Sequence, residues 1–565
     1  MRLLLLASAF LLVIAATTAR TAQAPSPGRQ LLSTQDGREA PAISEAGRSG
    51  ALEVALELSR RGPLPLPPPA AEPQHSTDGV AVLVGADRWH EAGFSGYGVR
   101  VAVIDPAFGS PEEALADLGG PLRVRSFRAD GSLGNGSRHG VRAARIVRQL
   151  APRAELLLLA FSSTSELAAA VEYAIEEDVD VISFSVGFVH NGPGDGSGRV
   201  NAIVDRATEA GVLWTTAAGN WAEQHWSGLF SDGDGDGVHE FGPDRVLNGR
   251  DFTAGDLISA SLRWDDEWDA TCSDYDLELF GPDGSLVQAS RRIQDCDDDP
   301  LEWLGVLATV DGRYSARIVL APGASEDPPD TPHTLSLLLL GTPDRGGSLD
   351  LFEQGGSLAQ PADHPAAVAV GALNSSGEVA RFSSRGPTAD ERTKPDLLAP
   401  VVLTSSDDGG TVFGGTSAAA PLVAAVAALL IEAQPELSRE ELAADLRARA
   451  RPLTAGEEDV TDATTAIVQL GGLEGLGPLL PPGGREAALR GERDTESRFS
   501  FFTYDGPDGY PLRFLHLLLE GPRPLAIFHY DADEERWLIH INGAPDWVNS
   551  LDGFDDGDEI WVRFD

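Results

Sequence analysis

The sequence predicts an α/β fold: a parallel sheet with helices on both faces, interrupted by an inserted antiparallel β-sandwich and followed by a small C-terminal β domain. Three observations lead there. Apolar runs of strand length at 99–104, 155–160 and 179–186 alternate with helical periodicity at 165–177, and the almost wholly Ala, Val, Leu and Ile run at 422–431 reads as a buried helix. Strands alternating with helices imply a parallel sheet covered on both sides. From about residue 229 to 355 the period falls to two, as in Ile258, Ala260, Leu262 and Trp264, or Tyr314, Ala316, Ile318 and Leu320. That is the pattern of antiparallel strands with one buried face. Beyond Pro481-Pro482-Gly483-Gly484, strand-like runs at 525–530, 537–541 and 560–564 make a third unit.

Taken in order, the chain opens with Met1-Arg2, an apolar core over 3–16, and small residues with candidate cleavage points after Ala19 or Ala24. This is the layout of a secretory signal peptide over 1–24. The apolar run is shorter than the roughly 20 residues that a membrane span needs. A secreted protein, extracellular or periplasmic and with no membrane anchor, is therefore expected. Residues 25–77 join a short helical stretch at 51–60 to Pro63-Leu64-Pro65-Leu66-Pro67-Pro68-Pro69, and read as a pro-region or extended linker, because proline fits neither a helix interior nor a central strand. The α/β pattern occupies 78–228 and resumes over 356–480, on either side of the sandwich at 229–355. The C-terminal unit takes 485–565.

Asp and Glu outnumber Lys and Arg by 87 to 43, for a net charge of −44. Such a balance argues against nucleic acid or an anionic membrane surface as partner and is compatible with bound cations. Lys394 is the sole lysine. Cys272 and Cys296 are the only cysteines, and an isolated pair in an exported chain forms one disulfide worth about 3 kcal/mol. Asp232, Asp234 and Asp236 alternate with glycines and precede Gly237, like the start of an EF-hand-type calcium loop, with Glu240 at the ninth position. Pro243 stands where the bidentate glutamate belongs, so Asp244 would have to compensate. A structural Ca2+ site and a solvated acidic loop both fit these residues. Asp295, Asp297, Asp298 and Asp299 form a second acidic cluster that reads as exposed charge.

The chemistry concentrates where a glycine-rich loop enters the apolar helix, at Gly414-Gly415-Thr416-Ser417-Ala418-Ala419-Ala420-Pro421. A helix start offers unpaired N–H groups and partial positive charge, which suits a nucleophile and its oxyanion. A Gly-Thr-Ser cap on an ordinary core helix is the competing reading. Asp105 ends the strand Val103-Ile104 and should emerge at the sheet edge where active sites lie. His139 opens a helical stretch in Ser137-Arg138-His139-Gly140-Val141, and Asn220 ends Ala217-Ala218-Gly219-Asn220. A strand-end turn, a loop histidine and a Gly-Asn turn are the respective structural alternatives.

In this order the segments resemble the subtilisin-like serine proteases: Val-Ile-Asp, His-Gly, Ala-Ala-Gly-Asn and Gly-Thr-Ser-x-Ala-x-Pro, with Phe382-Ser383-Ser384-Arg385-Gly386-Pro387 and Lys394 to Pro400 before the serine. Val141 replaces the family's usual threonine. The resemblance covers about 84–228 and 356–478. It implies a secreted serine endopeptidase acting on proteins or peptides: Ser417 as nucleophile, His139 as general base then acid, Asp105 orienting the imidazole, and Asn220 with the Ser417 N–H holding the oxyanion. It further implies that Ser185, Val186 and Gly187 form the strand that binds substrate backbone, and that the chemistry needs no cofactor. The alternative is a catalytically inactive relative acting as an extracellular binding protein. A Gly-x-Ser-x-Gly hydrolase is excluded by the residues around Ser417 and by the chain order.

Overall fold

The computed structural model describes residues 64–65, 75–110, 118–134, 137–321, 332–342, 347–374, 377–400, 402–403, 413–452, 466–468 and 470, and thereafter the strands of the C-terminal unit. The signal peptide, the helical stretch at 51–60 and the segment 481–484 lie outside the described residues.

Apolar strands flanked by helices assemble as their pattern requires. A nine-stranded sheet runs in the order Arg451–Pro452, Ala466–Ile467, Leu397–Pro400, Val368–Leu373, Leu213–Ala217, Val181–Phe184, Arg100–Asp105, Glu155–Ala160, Leu122–Ser126. Only Arg451–Pro452 pairs antiparallel; the other eight strands are parallel. Successive residues face opposite ways, so both faces need cover. Val101, Val103, Leu156 and Leu158 pack against the helices His139–Leu150 and Thr416–Ala433. Ala102, Ile104, Leu157 and Leu159 pack against Thr164–Glu176 and Arg199–Glu209.

From Arg100–Asp105 the chain moves to the edge strand Leu122–Ser126, returns through Glu155–Ala160, and then crosses to Val181–Phe184 on the other side. The order therefore reverses beside Arg100–Asp105, and the crevice at its carboxyl end is where open α/β sheets bind ligands. The helix Thr416–Ala433 points into this region. It is long and apolar enough to cross a membrane, but 94% of that window is buried within the fold, as a helix that is hydrophobic on all sides should be.

The insertion is a sandwich. One four-stranded antiparallel sheet has the order Asn248–Phe252, Gly312–Leu320, Tyr275–Phe280, Leu286–Ser290; the other, Leu301–Leu307, Leu257–Trp264, Thr334–Thr342, His225–Leu229. Ile258, Ala260, Leu262 and Trp264 from one sheet meet Tyr275, Leu277, Leu279 and Tyr314 from the other in a single core. The unit begins at His225, not at 229, because His225–Leu229 pairs with Thr334–Leu338. This strand carries His225, Ser227 and Gly228 and has no apolar alternation to reveal it. Cys272 and Cys296 are joined in a disulfide across a separation of 24 residues. The C-terminal unit contains a five-stranded antiparallel sheet in the order Leu489–Arg490, Phe499–Tyr504, Glu559–Arg563, Ala526–Asp531, Arg536–Ile541.

The proline-rich run departs from the linker expectation at one point. Leu64–Pro65 pairs antiparallel with Val186–Gly187, with Leu64 opposite Gly187 and Pro65 opposite Val186. A two-residue edge pairing tolerates a proline that a central strand would not.

Candidate active site

Asp105 is the last residue of its strand and is fully buried. One carboxylate oxygen accepts the Ala107 N–H at 3.0 Å. The other lies 2.6 Å from His139 Nδ1. His139 is the first residue of its helix, and the chain can bring it there only because a glycine follows. A Cβ on Gly140 would stand 2.5 Å from the Phe108 ring and 2.7 Å from Asp105 Cβ. Gly140 N–H also donates to the Ala107 carbonyl at 2.8 Å. The imidazole meets the Phe413 ring edge-on, with centroids 5.2 Å apart, and Nε2 is buried without a hydrogen-bond partner among the described residues. The usual threonine position, Val141, is buried in the core behind the site.

Ser417 is fully buried in the first turn of its helix. Its Oγ donates to the Ser185 carbonyl at 3.4 Å, and the Ser185 hydroxyl donates back to the Ser417 carbonyl at 2.9 Å. The second bond has a local cause. Pro421 has no N–H, so the carbonyl four residues earlier loses its helical donor, and Ser185 replaces it. The structure thus links Asp105 to His139, and Ser417 to Ser185, and His139 Nε2 takes no hydrogen bond from the second pair.

Asn220 is held from the helix start. Its Oδ1 accepts both the Thr416 N–H and the Thr416 hydroxyl at 3.0 Å. A backbone N–H can only donate, which fixes the carbonyl end of the amide there and places Nδ2, the donor, on the other side. Gly415, at φ +80°, faces that group: a Cβ would come within 2.7 Å of Asn220 Nδ2. The Thr416 hydroxyl also accepts the Gly219 N–H at 3.2 Å. Ser384 Oγ accepts the Trp221 N–H at 3.0 Å, and Ser384 N–H donates to the Gly219 carbonyl at 2.9 Å. Sequence reading gave Thr416 and Ser384 no such part; their place inside otherwise recognisable motifs was the available signal.

Ser185, Val186 and Gly187 follow the sheet strand Val181–Phe184 directly and are buried. Val186–Gly187 is the edge taken by Leu64–Pro65. The acidic loop lies on the sandwich. Carboxylate oxygens of Asp232, Asp234 and Asp236 fall within 4.8 Å of one another, and the Glu240 carboxylate flanks Gly233. Asp232 accepts the N–H groups of Gly235, Asp236 and Gly237, which, the Gly237 bond foremost, holds its carboxyl below the usual range.

A family model described as the subtilase family matches residues 132–238 and 349–469. The gap lies within the insertion, whose first strand His225–Leu229 and acidic loop fall inside the match; His139, Asn220 and Ser417 also fall inside the matched segments and Asp105 outside. Bacillopeptidase F of Bacillus subtilis is 43% identical over 114 residues, 19% of this chain and 8% of that protein. Subtilisin E of the same organism is 32% identical over 152 residues, 24% of this chain and 38% of that protein. The chain therefore spans well under half the length of either relative. Among solved structures, the CspB protease of Clostridium perfringens aligns over 68% of this chain and 95% of its own, with 16% identity and a TM-score of 0.47.

Proposed function

We propose that the protein is a secreted serine endopeptidase of the subtilase family with Asp105, His139 and Ser417 as its triad, a reading supported by the match of the subtilase family model to residues 132–238 and 349–469. The observation that carries this reading is the buried Asp105–His139 pair, 2.6 Å apart, at the same crevice as the Ser417 helix start. In the proposed reaction Ser417 Oγ attacks the scissile carbonyl and its proton passes to His139 Nε2. Asp105 at Nδ1 fixes the tautomer that leaves Nε2 as acceptor and supports the imidazolium. The tetrahedral oxyanion is held by the Ser417 N–H and by Asn220 Nδ2. Collapse expels the amine, which leaves with the His139 proton, and gives an acyl-enzyme. Water, deprotonated by His139, then releases the acid and restores Ser417.

A peptide fits as substrate because Val186–Gly187 is an edge that accepts an extended segment through its backbone, as Leu64–Pro65 does. The same pairing supports reading 25–77 as a pro-region that occupies the substrate strand until removed. Calcium at Asp232, Asp234, Asp236 and Glu240 is proposed as structural, with no part in the reaction.

A fluorophosphonate probe tests the assignment. The processed protein should be labelled, and Ser417→Ala should abolish labelling. Folded, processed protein that is not labelled would instead support the inactive binding-protein reading.

A further inference from the structure

The inserted sandwich buries three oxygen atoms that nothing in the described structure satisfies: Asp274 Oδ1, Gln294 Oε1 and Glu302 Oε2. Asp274 is 3% exposed, and Gln294 and Glu302 are wholly inaccessible. Neither carboxylate has an ion-pair partner among the described residues. A buried polar oxygen left without a donor costs about 1–3 kcal/mol, so three of them on hydrogen-bonded neighbours require an explanation.

These residues converge. Asp274 immediately precedes the strand Tyr275–Phe280 of one sheet, and Glu302 lies on Leu301–Leu307 of the other. Glu302 shares its strand face with Leu304, a residue of the sandwich core, so its carboxylate enters between the sheets. Gln294 connects the two: its side-chain Nε2 donates to Glu302 Oε1 at 3.1 Å, and its main-chain N–H donates to the Asp274 carboxylate. Arg292 N–H adds a second donor to Glu302 Oε1 at 3.0 Å. The disulfide fixes this arrangement, since Cys272 lies two residues before Asp274 and Cys296 two residues after Gln294.

We propose that Asp274, Gln294 and Glu302 supply ligands to a calcium ion held between the two sheets at the disulfide end of the sandwich. Two carboxylates and an amide carbonyl are hard oxygen donors of the kind calcium takes, with water or main-chain carbonyls completing its six to eight ligands. Its residues are distinct from the Asp232 loop and from the group formed by Asp295, Asp297 and Asp298.

The test uses the full chain with Ser417→Ala, to prevent self-digestion, and with Asp232→Asn, Asp234→Asn and Asp236→Asn. After chelation it is titrated with calcium by calorimetry and by thermal midpoint, and with terbium under tryptophan excitation, for which Trp303 lies beside Glu302. Saturable calcium binding that raises the midpoint is expected to persist. Glu302→Gln should weaken it about tenfold or more, as loss of a charged ligand does; Gln294→Glu, which adds a charged oxygen, should tighten it. Should Glu302→Gln not fold, Asp274→Asn and Gln294→Glu give the same comparison. Absence of saturable binding overturns the proposal. So does binding indifferent to these substitutions but abolished by Asp295→Asn, Asp297→Asn and Asp298→Asn together.

Discussion

The hydroxyl of Ser185 donates to the main-chain carbonyl of Ser417 across 232 positions of sequence, occupying the acceptor that Pro421 leaves without a helical N–H. The strand proposed to bind substrate and the helix that carries the proposed nucleophile are thereby fastened at Ser417. Ser185→Ala, in a Ser417→Ala background that keeps the carbonyl, should cost about 1–3 kcal/mol by urea titration, the cost of orphaning a buried acceptor. Adding Pro421→Ala restores an N–H to that carbonyl and should recover part of the loss. A double-mutant cycle with no coupling energy would refute the link.

Gly140 admits no side chain without displacing Phe108 or Asp105. Gly140→Ala should move His139 relative to Asp105 and lower kcat about 100-fold, the scale of an ångström's misplacement. KM should change little, since the strand proposed to bind substrate lies elsewhere. Near-normal kcat would show that the helix start can shift without loss.

At the seam between the sandwich and the α/β domain, His190 bonds Ser261 and Ser336, and His225 bonds the same Ser336 and the Glu353 carbonyl. Burial drives both pKa values down, His225 to about 4 and His190 well below its ordinary 6.5, with Arg263 adding to the effect. Both are neutral when folded and bind protons more readily when unfolded. Stability is therefore full above about pH 6.5 and falls as pH drops toward 4. The urea midpoint should decline over that window, and His225→Gln should flatten the decline.

Calcium at the Asp232 loop predicts a lower thermal midpoint on chelation, and a smaller drop in Asp232→Asn/Asp234→Asn/Asp236→Asn. Binding to the native state alone raises stability by mass action, so equal drops in both proteins would count against this loop.

The buried pair formed by Lys394 and Asp396, 2.7 Å apart, also involves the Ala367 carbonyl, which accepts from Nζ at 2.8 Å. Lys394→Met should cost about 3 kcal/mol, as breaking a buried ion pair does. Arg447 still pairs with Asp396 and keeps the loss near the lower end. The reading is by denaturant titration.

The sheet and its helices were legible because strand and helix periods are local, and Asp105 because a strand end sits at an active edge. The sandwich was legible from period two, except at His225–Leu229, whose polar and glycine residues conceal a strand that only its pairing with Thr334–Leu338 creates. Contacts between distant segments were not legible. Nothing near Ser185 announces Pro421, and His190 and His225 meet only because the insertion folds back on the α/β domain. The strand at Leu64–Pro65 was hidden by its prolines, which argue against a sheet interior but not against a short edge.

Lys394 is the sole lysine of the chain and is 6% exposed, with its ammonium bonded inside the fold. Reagents that couple to lysine side chains therefore find no accessible ammonium while the molecule is folded. A lysine that becomes reactive reports the opening of the segment around Lys394, so the rate of its labelling reads the stability of that segment alone.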